Sequence, residues 1–132
     1  MAGTTSQPAE DSAFEVIPIL RITSASQAVE WYEKLGFKQT WLHRFEPGLP
    51  AFVEVTNGSM KIFLSEHTGD ARPDTLLYLK VPDVDAFVAN IAGAQPEDQP
   101  ELGLRDVEVK DPDGNRLRIG SKIGQGKGYE KV

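Results

Sequence analysis

The apolar positions of the chain trace a set of elements that runs twice. Phe14 to Ile22 is apolar and rich in β-branched residues, the composition of a strand. Pro18 within it removes one backbone donor, which suits an edge strand or one interrupted at that point. Ser24-Ala25-Ser26-Gln27 fits a capping box, with Ser24 as the N-cap. Val29, Tyr32 and Leu35 then share a helical face with Ala28 beside them, and Gly36 takes the position that ends the helix. Trp41 to Phe45 predicts a strand and Glu46 to Pro50 a loop. Ala51 to Val55 and Met60 to Ser65 are strands joined through Asn57-Gly58, a strong hairpin signal. The pattern then restarts. Thr75 to Val81 is a strand, and Asp83 caps a helix with Val84, Phe87, Val88 and Ile91 at helical spacing, ended by Gly93. Leu104 to Val109 and Arg116 to Ile119 are strands joined by the turn Asp111-Pro112-Asp113-Gly114-Asn115. Between Gly93 and Leu104 only a very short strand fits. Strand, helix, strands, twice over, is the order an internal duplication produces.

Alternation sorts the strand residues onto two faces. Leu20, Ile22, Val53, Val55, Ile62, Leu64, Leu77, Leu79, Val81, Val107, Val109, Leu117 and Ile119 form a face that covers the helices. The opposite face is mixed. It carries Ile17, Ile19 and Arg21; Trp41, His43 and Phe45; Phe52 and Glu54; Phe63 and Ser65; Leu76, Tyr78 and Lys80; Asp106 and Glu108; Arg116 and Arg118. A solvent face does not need those aromatics, and a core does not hold Glu54, Lys80 and Arg118. Two readings fit: a concave ligand site, or a subunit interface, which is also rich in aromatic residues and arginine.

Composition narrows the function classes. The chain has 132 residues, enough for one domain. The net charge of −6 speaks against nucleic acid as the natural partner and suits a cationic ligand. With no cysteine, disulfides, thiolate metal sites and cysteine nucleophiles are excluded. Residues 1–13 read as a small, polar, disordered lead without the order of a signal peptide, and residues 121–132 as a flexible tail; the domain is expected over 14–120. No apolar run approaches the roughly 20 residues that span a bilayer, so no membrane partner is expected, and the cytoplasm is the expected location.

The segments VIPILRITSASQAVEWYEKLGF, HRFEPGLP, FLSEH and DPDGNRLRI resemble the bleomycin-resistance branch of the glyoxalase/bleomycin-resistance/dioxygenase (vicinal oxygen chelate) superfamily, over about residues 15–120. The resemblance implies an α+β fold in which two βαβββ modules form a cupped mixed sheet. It also implies a homodimer whose cleft collects residues from both modules, sometimes with an exchanged N-terminal strand. Enzymes of the superfamily hold a divalent metal there on His, Glu or Gln, one from each of four strands. The matching positions in this chain are Ile17, Phe63, Leu76 and Arg118. None ligates a divalent cation in the ordinary way, and a guanidinium repels one. No cofactor is therefore expected. Bleomycin binders usually carry a Pro-Trp-Gly tryptophan before the seventh strand; here that stretch is Pro100-Glu101-Leu102-Gly103. Tyr78 stands where such binders place an aromatic that stacks on the drug.

Three functions follow for testing. The first is a metal-free, non-catalytic protein that sequesters a bleomycin-type glycopeptide or another planar, cationic compound and so confers antibiotic resistance. Its ligand-binding residues would be Trp41, His43, Phe45, Phe52, Glu54, Phe63, Ser65, Tyr78, Glu108 and Arg118, the rings stacking and the acids meeting positive groups. The second is a metal-dependent lyase or extradiol dioxygenase, for which His43 and His67 with Glu54 would have to supply ligands, or Glu54 a general base. The plainer reading of Glu54 is a carboxylate paired with Lys80 or Arg118. The third is a structural or regulatory dimer with no ligand.

Overall fold

The computed structural model describes residues 13–126 and residue 130. Its first module is β1 (Ile19–Arg21), α1 (Ala25–Glu33), β2 (Lys38–His43), β3 (Phe52–Asn57) and β4 (Met60–Ser65). The second is β5 (Leu76–Lys80), α2 (Val84–Phe87), β6 (Glu97–Gln99), β7 (Leu104–Lys110) and β8 (Arg116–Lys122). Each module makes a four-stranded sheet, in the orders β1-β4-β3-β2 and β5-β8-β7-β6, and in each the first strand runs parallel to the last. Ile19 lies opposite Phe63 in one sheet as Tyr78 lies opposite Arg118 in the other, so the duplication extends to register. This is the expected pair of βαβββ modules in an α+β fold. Among the described residues no strand pair joins the two sheets, so the cup of one chain is two separate sheets.

Local chemistry explains most boundaries. Ser24 Oγ accepts from Gln27 N at 3.3 Å and Asp83 Oδ1 from Ala86 N at 3.2 Å, the two anticipated N-caps. The hairpin sits one residue later than Asn57-Gly58 suggests. Asn57 pairs with Met60, so Gly58 and Ser59 are the central residues, and only Gly58, at φ +60°, takes a left-handed conformation. Asn57 is thereby freed to cap, its Nδ2 donating to Leu35 O at the end of the α1 segment.

Four boundaries depart from the expected ones. The first strand is confined to Ile19–Arg21, because Pro18 cannot donate and the residues before it lie outside the ladder. Phe14 and Val16 project almost fully exposed. The helix anticipated as far as Gly93 shortens to Val84–Phe87; bonds from Ile91 N to Val88 O and Ala94 N to Ile91 O continue it as turns that still point Val88 and Ile91 at the core. β2 begins at Lys38 and ends at His43, which leaves Phe45 beyond the strand. The anticipated domain end at 120 moves outward, since β8 runs on to Lys122 and the buried Ser121 Oγ accepts from Val84 N at 2.5 Å. The expected lead falls almost wholly outside the described residues, as do 127–129, 131 and 132 of the expected tail.

All thirteen residues assigned to the helix-covered face are buried or packed against one continuous core that spans both modules. The modules meet on that side. Tyr32 Oη donates to Asp111 Oδ2 at 2.8 Å, Asn115 Nδ2 donates to Arg21 O at 2.8 Å, and Thr23 N and Oγ1 donate to Asp113 Oδ1. The Asp111–Asn115 turn of the second module is thus a polar clamp on the first. Among the described residues no helix is long and apolar enough to cross a membrane.

Candidate functional site

With both helix-bearing faces turned to one core, the open faces of the sheets are left uncovered, and they differ in chemistry. The first module carries rings. Trp41 stacks on Phe52, centroids 6.0 Å apart and planes 12° from parallel, and Phe63 lies 5.6 Å from Trp41 and 5.1 Å from Phe52. Trp41 reaches this face because of a β-bulge. Gln39 pairs with Val55 and Trp41 with Glu54, so Thr40 is the extra residue. Strict alternation would put Trp41 on the side of Gln39 and Val55; the bulge turns it over.

The rings open onto a recess of about 410 Å³ lined by Trp41, His43, Phe45, Phe52, His67 and Asp70. His43 and Phe45 meet edge to face at 4.8 Å. The segment Leu64-Ser65-Glu66-His67 builds the rim, each residue with its own task. Leu64 is core. Ser65 is fully buried, its hydroxyl donating to Asp70 Oδ2 at 2.6 Å and accepting from His67 N at 3.1 Å. Glu66 accepts from Ala25 N at 2.7 Å and Ala51 N at 2.8 Å, holding the start of α1 to the entry of β3.

The second module carries charge. Arg118 Nε donates to Glu108 Oε1 at 3.0 Å, Arg116 lies 3.8 Å from Glu108 and 3.3 Å from Asp74, and Tyr78 Oη donates to Asp106 Oδ2 at 3.2 Å. Partial burial first, and Asp106 second, push the Tyr78 phenol up to about 12. Gly120 lies directly beneath that phenol, where a Cβ would collide with its oxygen.

The anticipated site residues are divided between the two sheets. Trp41, His43, Phe45, Phe52, Glu54, Phe63 and Ser65 belong to the first sheet and its edge; Tyr78, Glu108 and Arg118 belong to the second. The anticipated pairing of Glu54 with Lys80 or Arg118, residues of the other sheet, is replaced by a bond from Thr40 Oγ1 at 2.5 Å. His67 and Asp70, outside the anticipated ligand set, line the recess. The four positions that hold a metal in superfamily enzymes do not fit one. Phe63 packs among the rings, Arg118 is paired with Glu108, and Ile17 and Leu76 have no donor atom. Among the described residues no group of three His, Asp or Glu side chains is placed to hold a metal ion.

The paired modules and the uncovered, partly aromatic sheets define the vicinal-oxygen-chelate class of fold. The chain belongs to the glyoxalase superfamily: residues 3–126 match the family described as glyoxalase superfamily protein. Solved structures share the fold. A bleomycin-binding protein complexed with bleomycin superposes with a TM-score of 0.62 at 19% identity, covering 83% of this chain and 99% of that one. The bleomycin resistance determinant encoded on transposon Tn5 gives 0.65 at 22%, covering 83% and 98%. TnmS3, an antibiotic binding protein from Streptomyces sp. CB03234, gives 0.64 at 18%, covering 84% and 98%. No curated protein matches the chain.

Proposed function

We propose that this chain is a metal-free binding protein that sequesters a bleomycin-type antibiotic in the cytoplasm and acts as a homodimer. The observation that carries the reading is the Trp41–Phe52–Phe63 cluster, three rings left open beside a recess of ligand size. Stacking needs no nucleophile or bound metal, and a binder confers resistance by lowering the free drug through mass action alone. The binding surface comprises Trp41, His43, Phe45, Phe52, Glu54 and Phe63 of one chain facing Tyr78, Glu108 and Arg118 of a second copy; Ser65, anticipated among them, is fully buried and acts from beneath through Asp70. A single chain carries these halves on separate sheets, which supports a cleft completed by a second copy. Structures of the same fold are described as binding bleomycin or an antibiotic, which supports this ligand class.

Calorimetry with metal-free bleomycin tests the reading. Trp41→Ala and Tyr78→Ala should each weaken binding about thirtyfold, the loss of roughly 2 kcal/mol typical of a stacked anchor. Circular dichroism confirms that each variant is folded. If both variants bind as tightly as the parent, the aromatic face is a subunit interface and not a ligand site.

A further inference from the structure

We infer that Asp70 selects a positively charged aromatic ligand and that Ser65 positions it; the inference rests on the small-molecule reading of the same recess. Asp70 shares the recess with Trp41 and Phe52, which stack on each other. Its orientation is set from below. Ser65 is fully buried, and its one hydroxyl proton is committed to Asp70 Oδ2 at 2.6 Å while its oxygen accepts from His67 N. Asp70 N donates to His67 O at 3.2 Å, which closes the turn and fixes the backbone as well. Among the described residues no cation pairs with this carboxylate, so the second oxygen, Oδ1, remains for a ligand.

Asp70 lines the recess, and the other acids on the open faces do not. Glu108 is ion-paired with Arg118 and Arg116, while Glu54 and Asp106 each accept one hydroxyl, as Asp70 does, but lie outside that lining. The sequence nominated Glu54 and Glu108 to meet positive groups; Asp70 adds a third carboxylate, inside the recess itself. The rings argue the same way, because the negative faces of Trp41 and Phe52 attract a cation independently of any carboxylate. The ligand class is a flat aromatic system with a positive charge on or close to the ring.

Two probes that share a ring system, N-methylacridinium and acridine at a pH where acridine is neutral, separate charge from shape. The protein should bind the cation about tenfold more tightly at low salt, the range of one charge-assisted contact, and the preference should shrink as salt is added. Asp70→Asn should remove most of the preference, weakening the cation far more than acridine. Ser65→Ala should narrow the preference in the parent and have no further effect on it in an Asp70→Asn background, a dependence that general damage to the fold would not show. Trp41→Ala should weaken both probes. If Asp70→Asn keeps the preference while Trp41→Ala loses both probes, the recess binds rings but Asp70 does not select, and only this inference falls. If neither probe binds the parent protein, the small-molecule reading falls with it.

Discussion

Tyr32 shows how much one side chain can carry. Its ring is fully buried, meets Trp31 and Phe37 edge to face, and sends its hydroxyl to Asp111 in the other module. Tyr32→Phe keeps the ring and leaves the buried Asp111 with one donor fewer, a change expected to cost about 1–3 kcal/mol in urea unfolding. Burial, and then the Asp111 charge, raise the phenol far above its ordinary value. The folded state therefore keeps a proton that the unfolded chain releases near pH 10. This contribution is complete below that pH and is lost progressively as pH rises from there toward the raised value of the folded state. Stability against urea should fall above about pH 10, and less steeply in Tyr32→Phe; an unchanged slope in the variant would show that Tyr32 is not the group responsible. Residues whose role is local were legible beforehand: Ser24 and Asp83 cap helices that start beside them. Glu66 and Asp70 were not. Ala25 and Ala51 reach Glu66 only through the fold, and Ser65, though five residues from Asp70, meets it only where the turn at His67 closes; nothing in the spacing marks the carboxylates.

At the scale of elements, period-two alternation assigned the core face correctly from Leu20 to Ile119. It has no account of the bulge in β2. Trp41 was placed on the open face by counting from its own strand, and its register against β3 holds there only because Thr40 is unpaired. Deleting Thr40 is therefore expected to make the pairing regular, with Gln39 still opposite Val55 and Trp41 still opposite Glu54, so that the stack on Phe52 survives. Tryptophan emission, read in a Trp31→Phe background so that Trp41 is the sole reporter, should stay close to that of the parent. A shifted emission maximum, with a loss of ligand affinity of about tenfold or more, as loss of a stacked ring would cause, would show that the bulge itself holds the ring in place. The shortening of α2 is the other failure of periodicity. Apolar residues at helical spacing are equally satisfied by successive turns that bury Val88 and part of Ile91.

For the whole molecule, the sequence pattern put rings and charges on one mixed face, whereas the structure divides them between two sheets. Alternation reports on which side of its sheet a residue lies, not on which sheet it meets, so this division was illegible. Uncovered apolar residues on both faces, with Trp41 and Tyr78 each about 40% exposed and Phe45 75% exposed, leave a surface that a second copy would cover. Sedimentation at micromolar concentration should show twice the chain mass of 14.5 kDa. A species of single-chain mass throughout would sink the dimer and, with it, the shared cleft.

A cleft divided between copies also has a genetic consequence. A chain with Trp41→Ala spoils the aromatic wall of whichever cleft it enters, and a chain with Arg118→Ala spoils only the charged wall. When the two variants are denatured together and refolded, half the dimers are expected to be hybrids. Each hybrid pairs one doubly damaged cleft with one that is wholly intact, so about a quarter of all clefts regain full affinity although neither parent has any. Two alleles, each sensitive alone, would then make a resistant cell between them. Mixed without unfolding, they would do so only as fast as the dimers exchange partners.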